Sequence, residues 1–133
     1  NLGRRLLLRV SDIMHTGDAI PQVKQSALIS EALIEMTDKG LGMTAVITDD
    51  NKVTAIFTDG DLRRVLAQTV DVHTTKLAEF MTPNCKTGHA DMLAAEALEL
   101  MQRHKINALL ITNEQQQLVG ALNMHDLLRA GVV

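Results

Sequence analysis

Apolar residues fall into two kinds of run in this chain, and the runs follow one another in the same order twice. Thr44-Ala45-Val46-Ile47-Thr48 and Val53-Thr54-Ala55-Ile56-Phe57 flank the turn-forming Asp49-Asp50-Asn51-Lys52, a pattern that predicts a β-hairpin. The same arrangement returns as Ala108 to Thr112 and Leu118 to Leu122, joined across Asn113-Glu114-Gln115-Gln116-Gln117. Ahead of each hairpin the period changes to that of a helix. Leu28, Ala32, Leu33 and Met36 share one face of a helix expected from Ser26, as N-cap, to Lys39, with Gly40 as its stop. Asp91 takes the cap position in the second copy, ahead of Leu93, Ala97, Leu98 and Met101. A short strand is expected over Ala19 to Val23, at a sheet edge because Pro21 cannot donate to a ladder. A short helix closes each half, Asp61 to about Ala67 and His125 to Ala130.

The order strand, helix, strand, strand, helix is therefore written twice. Glu31-Ala32-Leu33 and Met36 recur 65 positions later as Glu96-Ala97-Leu98 and Met101, and Asp61 recurs as Asp126. Upstream, Ser11-Asp12-Ile13-Met14 matches Ala78-Glu79-Phe80-Met81 at an offset of 67, which places small insertions in loops. A half of about 60 residues with one small sheet buries too little apolar surface to be stable alone. The expectation is an α+β molecule whose halves pack sheet to sheet, with a cleft between them.

The chemistry that stands out lies where the last strand of each half runs into its last helix: Ala55-Ile56-Phe57-Thr58-Asp59-Gly60-Asp61-Leu62-Arg63-Arg64 and Gly120-Ala121-Leu122-Asn123-Met124-His125-Asp126-Leu127-Leu128-Arg129. Backbone N–H groups at a helix start attract phosphate. Thr58 can donate to a phosphate or sugar oxygen, and Asp61 can accept from two vicinal ribose hydroxyls. The same pair can instead simply cap the helix. Arg63, Arg64 and Arg129 follow within a turn, either to neutralise a phosphate or as a solvated helix face, and His125 offers a further donor or an ordinary surface polar group.

Composition narrows the function. With 46% hydrophobic residues the 133-residue chain can bury a core, built from aliphatic residues and Met because it holds two Phe and no Trp or Tyr. A net charge of −3 and the lack of aromatic platforms argue against nucleic acid as a partner. No apolar run approaches membrane-spanning length. Cys85 is the single cysteine, so no internal disulfide forms and the cytoplasm is the expected location. Asp59-Gly60-Asp61 lacks the further oxygen ligands of a calcium loop, and His15, His73, His89, His104 and His125 show no paired ligand spacing, so no metal is expected. His104, with Arg103 and Lys105, reads as a polar helix end, and no Gly-rich loop with Lys-Ser/Thr supports nucleotide hydrolysis.

A duplicated strand-helix-strand-strand-helix unit ending in Gly-x-x-Thr/Ser-x-x-Asp resembles a tandem pair of CBS domains, over about residues 10–130. The resemblance implies two β-α-β-β-α repeats packed with pseudo-two-fold symmetry, residues 11–70 and 77–133. It also implies that Thr58 and Asp61 hold the phosphate and ribose of an adenine nucleotide. Ala55 stands where glycine is usual in the first repeat, and in the second Asn123 replaces the hydroxyl residue while Gly120 and Asp126 match. Base contacts in that family come from backbone near the first strand and hairpin, which points to Ile20 and Ala45.

The opening Asn1-Leu2-Gly3-Arg4-Arg5-Leu6-Leu7 and the closing Met124-His125-Asp126-Leu127-Leu128-Arg129-Ala130-Gly131-Val132-Val133 resemble the C-terminal part of the bacterial D-arabinose 5-phosphate isomerase family. Those enzymes join an N-terminal SIS isomerase domain to a CBS pair and serve Kdo synthesis for lipopolysaccharide or capsule. The likeness implies that residues 1–10 are a linker from an SIS domain and that this piece is not itself the enzyme. It implies no cofactor, a regulatory ligand such as AMP, ATP or CMP-Kdo, and a homo-oligomer in which CBS pairs dimerise within a tetrameric parent. The rival expectation is a ligand-free module that only holds the oligomer together.

Overall fold

The computed structural model describes residues 7–132. The first half runs α1 (Val10–Ile13), β1 (Gln22–Lys24), α2 (Ile29–Lys39), β2 (Met43–Ile47), β3 (Val53–Thr58) and α3 (Asp59–Leu66). The second runs β4 (Thr82–Pro83), β5 (Thr87–Gly88), α4 (Ala94–His104), β6 (Ala108–Thr112), β7 (Leu118–Asn123) and α5 (Met124–Arg129). Both hairpins and both closing helices lie where the apolar pattern puts them. The first strand starts later than expected, because Gly17–Ala19 forms a 3-10 turn and pairing with β2 begins only at Gln22.

Two sheets result, ordered β1-β2-β3-β4 and β5-β6-β7. In each, the first strand is parallel to the second and the hairpin strands are antiparallel, with Ala45 opposite Ile56 and Leu110 opposite Ala121. One face of the first sheet meets one face of the second: Ile20, Met43, Ala45, Ile47 and Ile56 form a single buried cluster with Leu110, Leu118 and Ala121. The opposite faces carry the helices, through Phe57, Met36 and Val65 in the first half and Leu122, Met101 and Leu127 in the second. Sheet-to-sheet packing of the halves is thus observed. At the hairpin ends the halves also exchange backbone bonds, Val53 N–H to Gln116 O and Leu118 N–H to Asn51 O, both 3.0 Å.

The stretch leading into each half packs on the other half. Val10 is fully buried with Ala97 and Leu122 of the second half, whereas Leu77 and Phe80 are buried with Ala32 and Phe57 of the first. The same exchange caps the long helices. Ile29 N–H, at the start of α2, donates to Thr75 O at 3.0 Å, and Ala94 N–H, at the start of α4, donates to Leu8 O at 2.7 Å. Ser26 and Asp91 therefore do not cap: both are exposed, and the cap positions fall to Leu28 and Leu93. Their N–H groups donate to the Glu31 and Glu96 carboxylates at 2.9 Å, half of a capping box, since leucine offers no acceptor in return. Residues 8–10, expected within a linker, are part of the second half's core and caps; residues 1–6 lie outside the described residues.

Candidate functional site

β3 ends at Thr58 and α3 starts at the next residue, because Thr58 and Asp61 satisfy each other's backbone: Asp61 N–H donates to Thr58 Oγ1 at 3.3 Å and Thr58 N–H donates to Asp61 Oδ2 at 3.0 Å. Asn123 and Asp126 repeat this at the start of α5, at 3.0 and 2.9 Å. A further first-turn amide is taken at each corner, Asp59 N–H by Gly42 O and Met124 N–H by Asn107 O. The capping role is thus present at both corners, and most of the amides expected to face a phosphate already have partners.

Both aspartates sit behind the surface, Asp61 with 5% and Asp126 with 6% of its area exposed. Asp61 accepts from the Arg64 guanidinium and, at 3.0 Å, from the Thr82 hydroxyl. Asp126 accepts from Arg129 at 2.8 Å and pairs with His15 Nε2 at 3.0 Å. Burial on its own would raise the Asp126 pKa, but hydrogen bonds from the Asn123 N–H, His15 and Arg129 together hold it below the usual carboxylate value. A carboxylate so furnished is first of all a structural anchor, each charged hydrogen bond contributing roughly 1.5–3 kcal/mol.

A cleft of about 940 Å³ opens between the two corners. Thr58 and Arg63 line it from the first half, Asn123 and His125 from the second, and Thr82 to Lys86 close one side. Four of the sequence candidates are thereby brought together: Thr58, Arg63, Asn123 and His125. Asp61, Asp126, Arg64 and Arg129 are not among the lining residues, because the two arginines turn to the two aspartates instead. Ile20 and Ala45 are likewise not in the wall: they are 6% and 0% exposed, locked in the core between the sheets. The Asn123 side-chain amide donates to Leu41 O at 3.2 Å, tying the second corner to the first half.

Sequence reasoning missed much of the wall. Lys86, His104 and Lys105 line it, so the residues read as a polar helix end face the cleft. With Arg63 they place three permanent cations and two histidines, counting His125, around a space whose only lining carboxylate among the described residues is Asp59. Lys105 follows α4 with φ +55°, left-handed backbone that costs an ordinary residue about 1–2 kcal/mol. Its counterpart after α2 is Gly40, at φ +71°, where no Cβ pays that strain. Cys85 also lines the cleft; burial pushes its thiol pKa up, so it stays neutral at pH 7. Among the described residues no group of three or more His, Cys, Asp and Glu could hold a metal ion, and no helix is long and apolar enough to cross a membrane.

Two sheets related by a pseudo-two-fold, with crossed lead-ins and a cleft between matching strand-helix corners, define a class of paired α+β modules. The CBS domain model matches residues 10–68 and 77–133, and the chain belongs to the CBS domain family, of which it carries a tandem pair. Among characterised proteins it is 53% identical over 132 residues to arabinose 5-phosphate isomerase KdsD of Pseudomonas aeruginosa, and 52% identical over 132 residues to KdsD of Escherichia coli K12. Each alignment covers 99% of this chain and 40% of the relative, so the chain spans well under half the length of the relatives it matches. Among solved structures it is similar to the CBS domain pair of MJ0100 in complex with 5'-methylthioadenosine and S-adenosyl-L-methionine, with TM-score 0.83, 21% identity, and 92% of this chain and 94% of that one covered. It is also similar to CBSX2 in complex with AMP, with TM-score 0.78, 21% identity, and 94% and 96% covered. At that identity these two likenesses show the fold.

Proposed function

We propose that this CBS pair is a regulatory module that takes a phosphate-bearing nucleotide or nucleotide sugar into the cleft between its corners. The observation that carries the reading is the charge of the wall: Arg63, Lys86 and Lys105, with His104 and His125 beside them, surround a space of about 940 Å³ in a chain whose net charge is −3. Cations gathered against the overall charge suit an anion, and the volume lies within the roughly 300–1,000 Å³ of small-ligand sites. Thr58 and Thr82 supply hydroxyls at the rim, with the Asp61 carboxylate one hydrogen bond behind them. Asp61 therefore acts on a ligand through those hydroxyls, unlike the direct ribose acceptor that the family pattern implies.

AMP, ATP and CMP-Kdo all present the required phosphate and ribose. In the longer protein the pair is joined to an SIS domain that interconverts ribulose 5-phosphate and arabinose 5-phosphate, a reading supported by the 52–53% identity to the isomerases. The ligand then shifts that enzyme by binding one of its states more tightly than another. Calorimetric titration of the chain with AMP, ATP and CMP-Kdo tests the proposal. Saturable heat is expected with at least one of them, weakened about tenfold in the Arg63→Gln/Lys86→Gln double variant; silence with all three overturns it. A second, scaffolding reading draws on Ile34 and Leu66, exposed at 71% and 72%. Sedimentation that gives a concentration-dependent dimer, lost in Ile34→Asp or Leu66→Asp, is the outcome that reading requires.

A further inference from the structure

The two halves repeat each other so closely that a ligand site at one corner calls for another at its partner, and the structure departs from that symmetry in the segment that leads into the first strand of each half. Thr82 pairs with Ile56 in the first sheet, and His15 bridges to Ala121, the counterpart of Ile56, in the second. Thr82 and His15 are therefore equivalent, and each reaches the aspartate of the corner beside it: Thr82 Oγ1 donates to Asp61 at 3.0 Å, and His15 Nε2 lies 3.0 Å from Asp126. The chain that follows differs in length. Residues 83–86 separate Thr82 from β5, whereas residues 16–21, two more, separate His15 from β1.

Those two residues decide where open space remains. The longer connection makes the Gly17–Ala19 turn and drives Ile20 between the sheets, where it is 6% exposed and packs in the cluster that holds Leu110 and Ala121. The shorter one leaves Thr82, Asn84 and Lys86 along an open wall, and among the described residues none of 15–21 lines the cleft. A threonine hydroxyl can keep its bond to Asp61 and still accept from a ligand. The imidazole of His15 must leave Asp126 before anything replaces it.

The geometry points to one ligand per chain, seated against the Thr58–Thr82 corner, with the matching corner closed by His15 as a latch on Asp126 and by Ile20 as a plug. This rests on the nucleotide reading above and adds its stoichiometry and its polarity. His15 is a positioning residue: it lies at the end of the lead-in whose Leu8 carbonyl caps α4, so the closed corner is held by the stretch of chain that comes first.

Titration calorimetry with ATP, followed in parallel by amide chemical shifts, separates the outcomes. The wild-type chain takes one equivalent, and the shifts concentrate on Thr58, Gly60 and residues 82–86, sparing 15–20. Thr82→His, which copies the latch onto the open corner, weakens binding at least tenfold. His15→Thr combined with deletion of Gly17 and Asp18 raises the stoichiometry toward two. Circular dichroism establishes that each variant folds, and Thr82→His decides the matter if the deletion does not. Two equivalents on the wild type, shifts at 15–20 as large as those at 82–86, or a Thr82→His variant with unchanged affinity overturns the inference while leaving the nucleotide reading in place. No heat with ATP, AMP or CMP-Kdo removes both.

Discussion

Asp61 and Asp126 occupy the same position in two halves of one chain, cap their helices in the same way, and each draws in an arginine three residues on. They differ in the third partner, a hydroxyl for Asp61 and an imidazole for Asp126, and in the loop that delivers it. Both corners border the cleft, but Thr82 and the loop after it line it beside the first, whereas among the described residues none of 15–21 lines it beside the second. Duplication copies a fold faithfully because every core position is constrained by packing. A binding site depends on a few loop residues that packing leaves free, so two copies of one fold need not be two copies of one site.

The largest test of the comparison concerns what the halves share. Phe57 and Leu122, 65 positions apart, are both fully buried under their own helices. Phe57→Ala is expected to cost about 3–5 kcal/mol and Leu122→Ala about 2–5 kcal/mol. Because one apolar cluster spans both sheets, either change should lower a single urea transition monitored by circular dichroism. Two separated transitions would mean that the halves are not one cooperative unit.

Next in size are the anchors themselves. Asp126→Asn keeps the shape and removes the charge from three hydrogen bonds, for a loss of roughly 1.5–3 kcal/mol. The effect depends on pH in a known direction. The folded pKa of Asp126 is lowered from 3.8, so in acid the unfolded state takes up its proton first. The stabilisation is complete above about pH 4 and disappears as pH falls through the lowered folded value. Urea midpoints at pH 7 and pH 3 should therefore differ less in Asp126→Asn than in the wild type, and an equal acid loss in both would remove Asp126 as a source of acid sensitivity.

Smaller again is the contrast between Ala55 and Gly120, which share a strand position in the two copies. A Cβ on Gly120 would meet Met14 Sδ at 2.5 Å and the His15 carbonyl at 3.3 Å, so the lead-in that delivers His15 passes directly over it. Gly120→Ala should cost about 1–3 kcal/mol by overpacking, read as a lower thermal midpoint. It should also displace the His15 ring, visible as a changed imidazole resonance. A stable variant with an unmoved His15 would mean that Met14 alone absorbs the methyl group.

How far the sequence foretells all this follows the same line. The hairpins and closing helices were legible because alternating and helical apolar periods are local and strong, and the 65-residue offset makes each half a check on the other. The caps at Leu28 and Leu93 were not, since the partners that fix those helix starts, Thr75 O and Leu8 O, come from far along the chain. The Leu-x-x-Glu at 28–31 and 93–96, itself repeated, was the available signal. At the site, Thr58 and Asp61 were legible as a pair, but whether each faces the cleft or lies behind it depends on Arg64 and Thr82. Lys86, His104 and Lys105 were invisible as a group because Lys86 is distant in sequence from the other two and only the packing of the halves sets all three around one space with Arg63.

Lys105 gives the finest test, because it sets stability against binding in one residue. It stands where the first half has Gly40, in the same left-handed conformation, and the Cβ of lysine is strained there while glycine is not. Lys105→Gly relieves that strain but gives the unfolded chain more freedom, and the two nearly cancel, leaving stability unchanged or raised by up to about 1 kcal/mol. If Lys105 serves only to end α4, nothing else should change. If it is kept because the cleft needs its charge, ATP affinity should fall several-fold, and the loss should shrink as salt is raised, since the missing interaction is one that salt screens. A strained cation whose removal steadies the fold and weakens the ligand would mark the position as serving binding over folding. An affinity untouched at low salt would return Lys105 to the polar helix end that its sequence neighbours suggest.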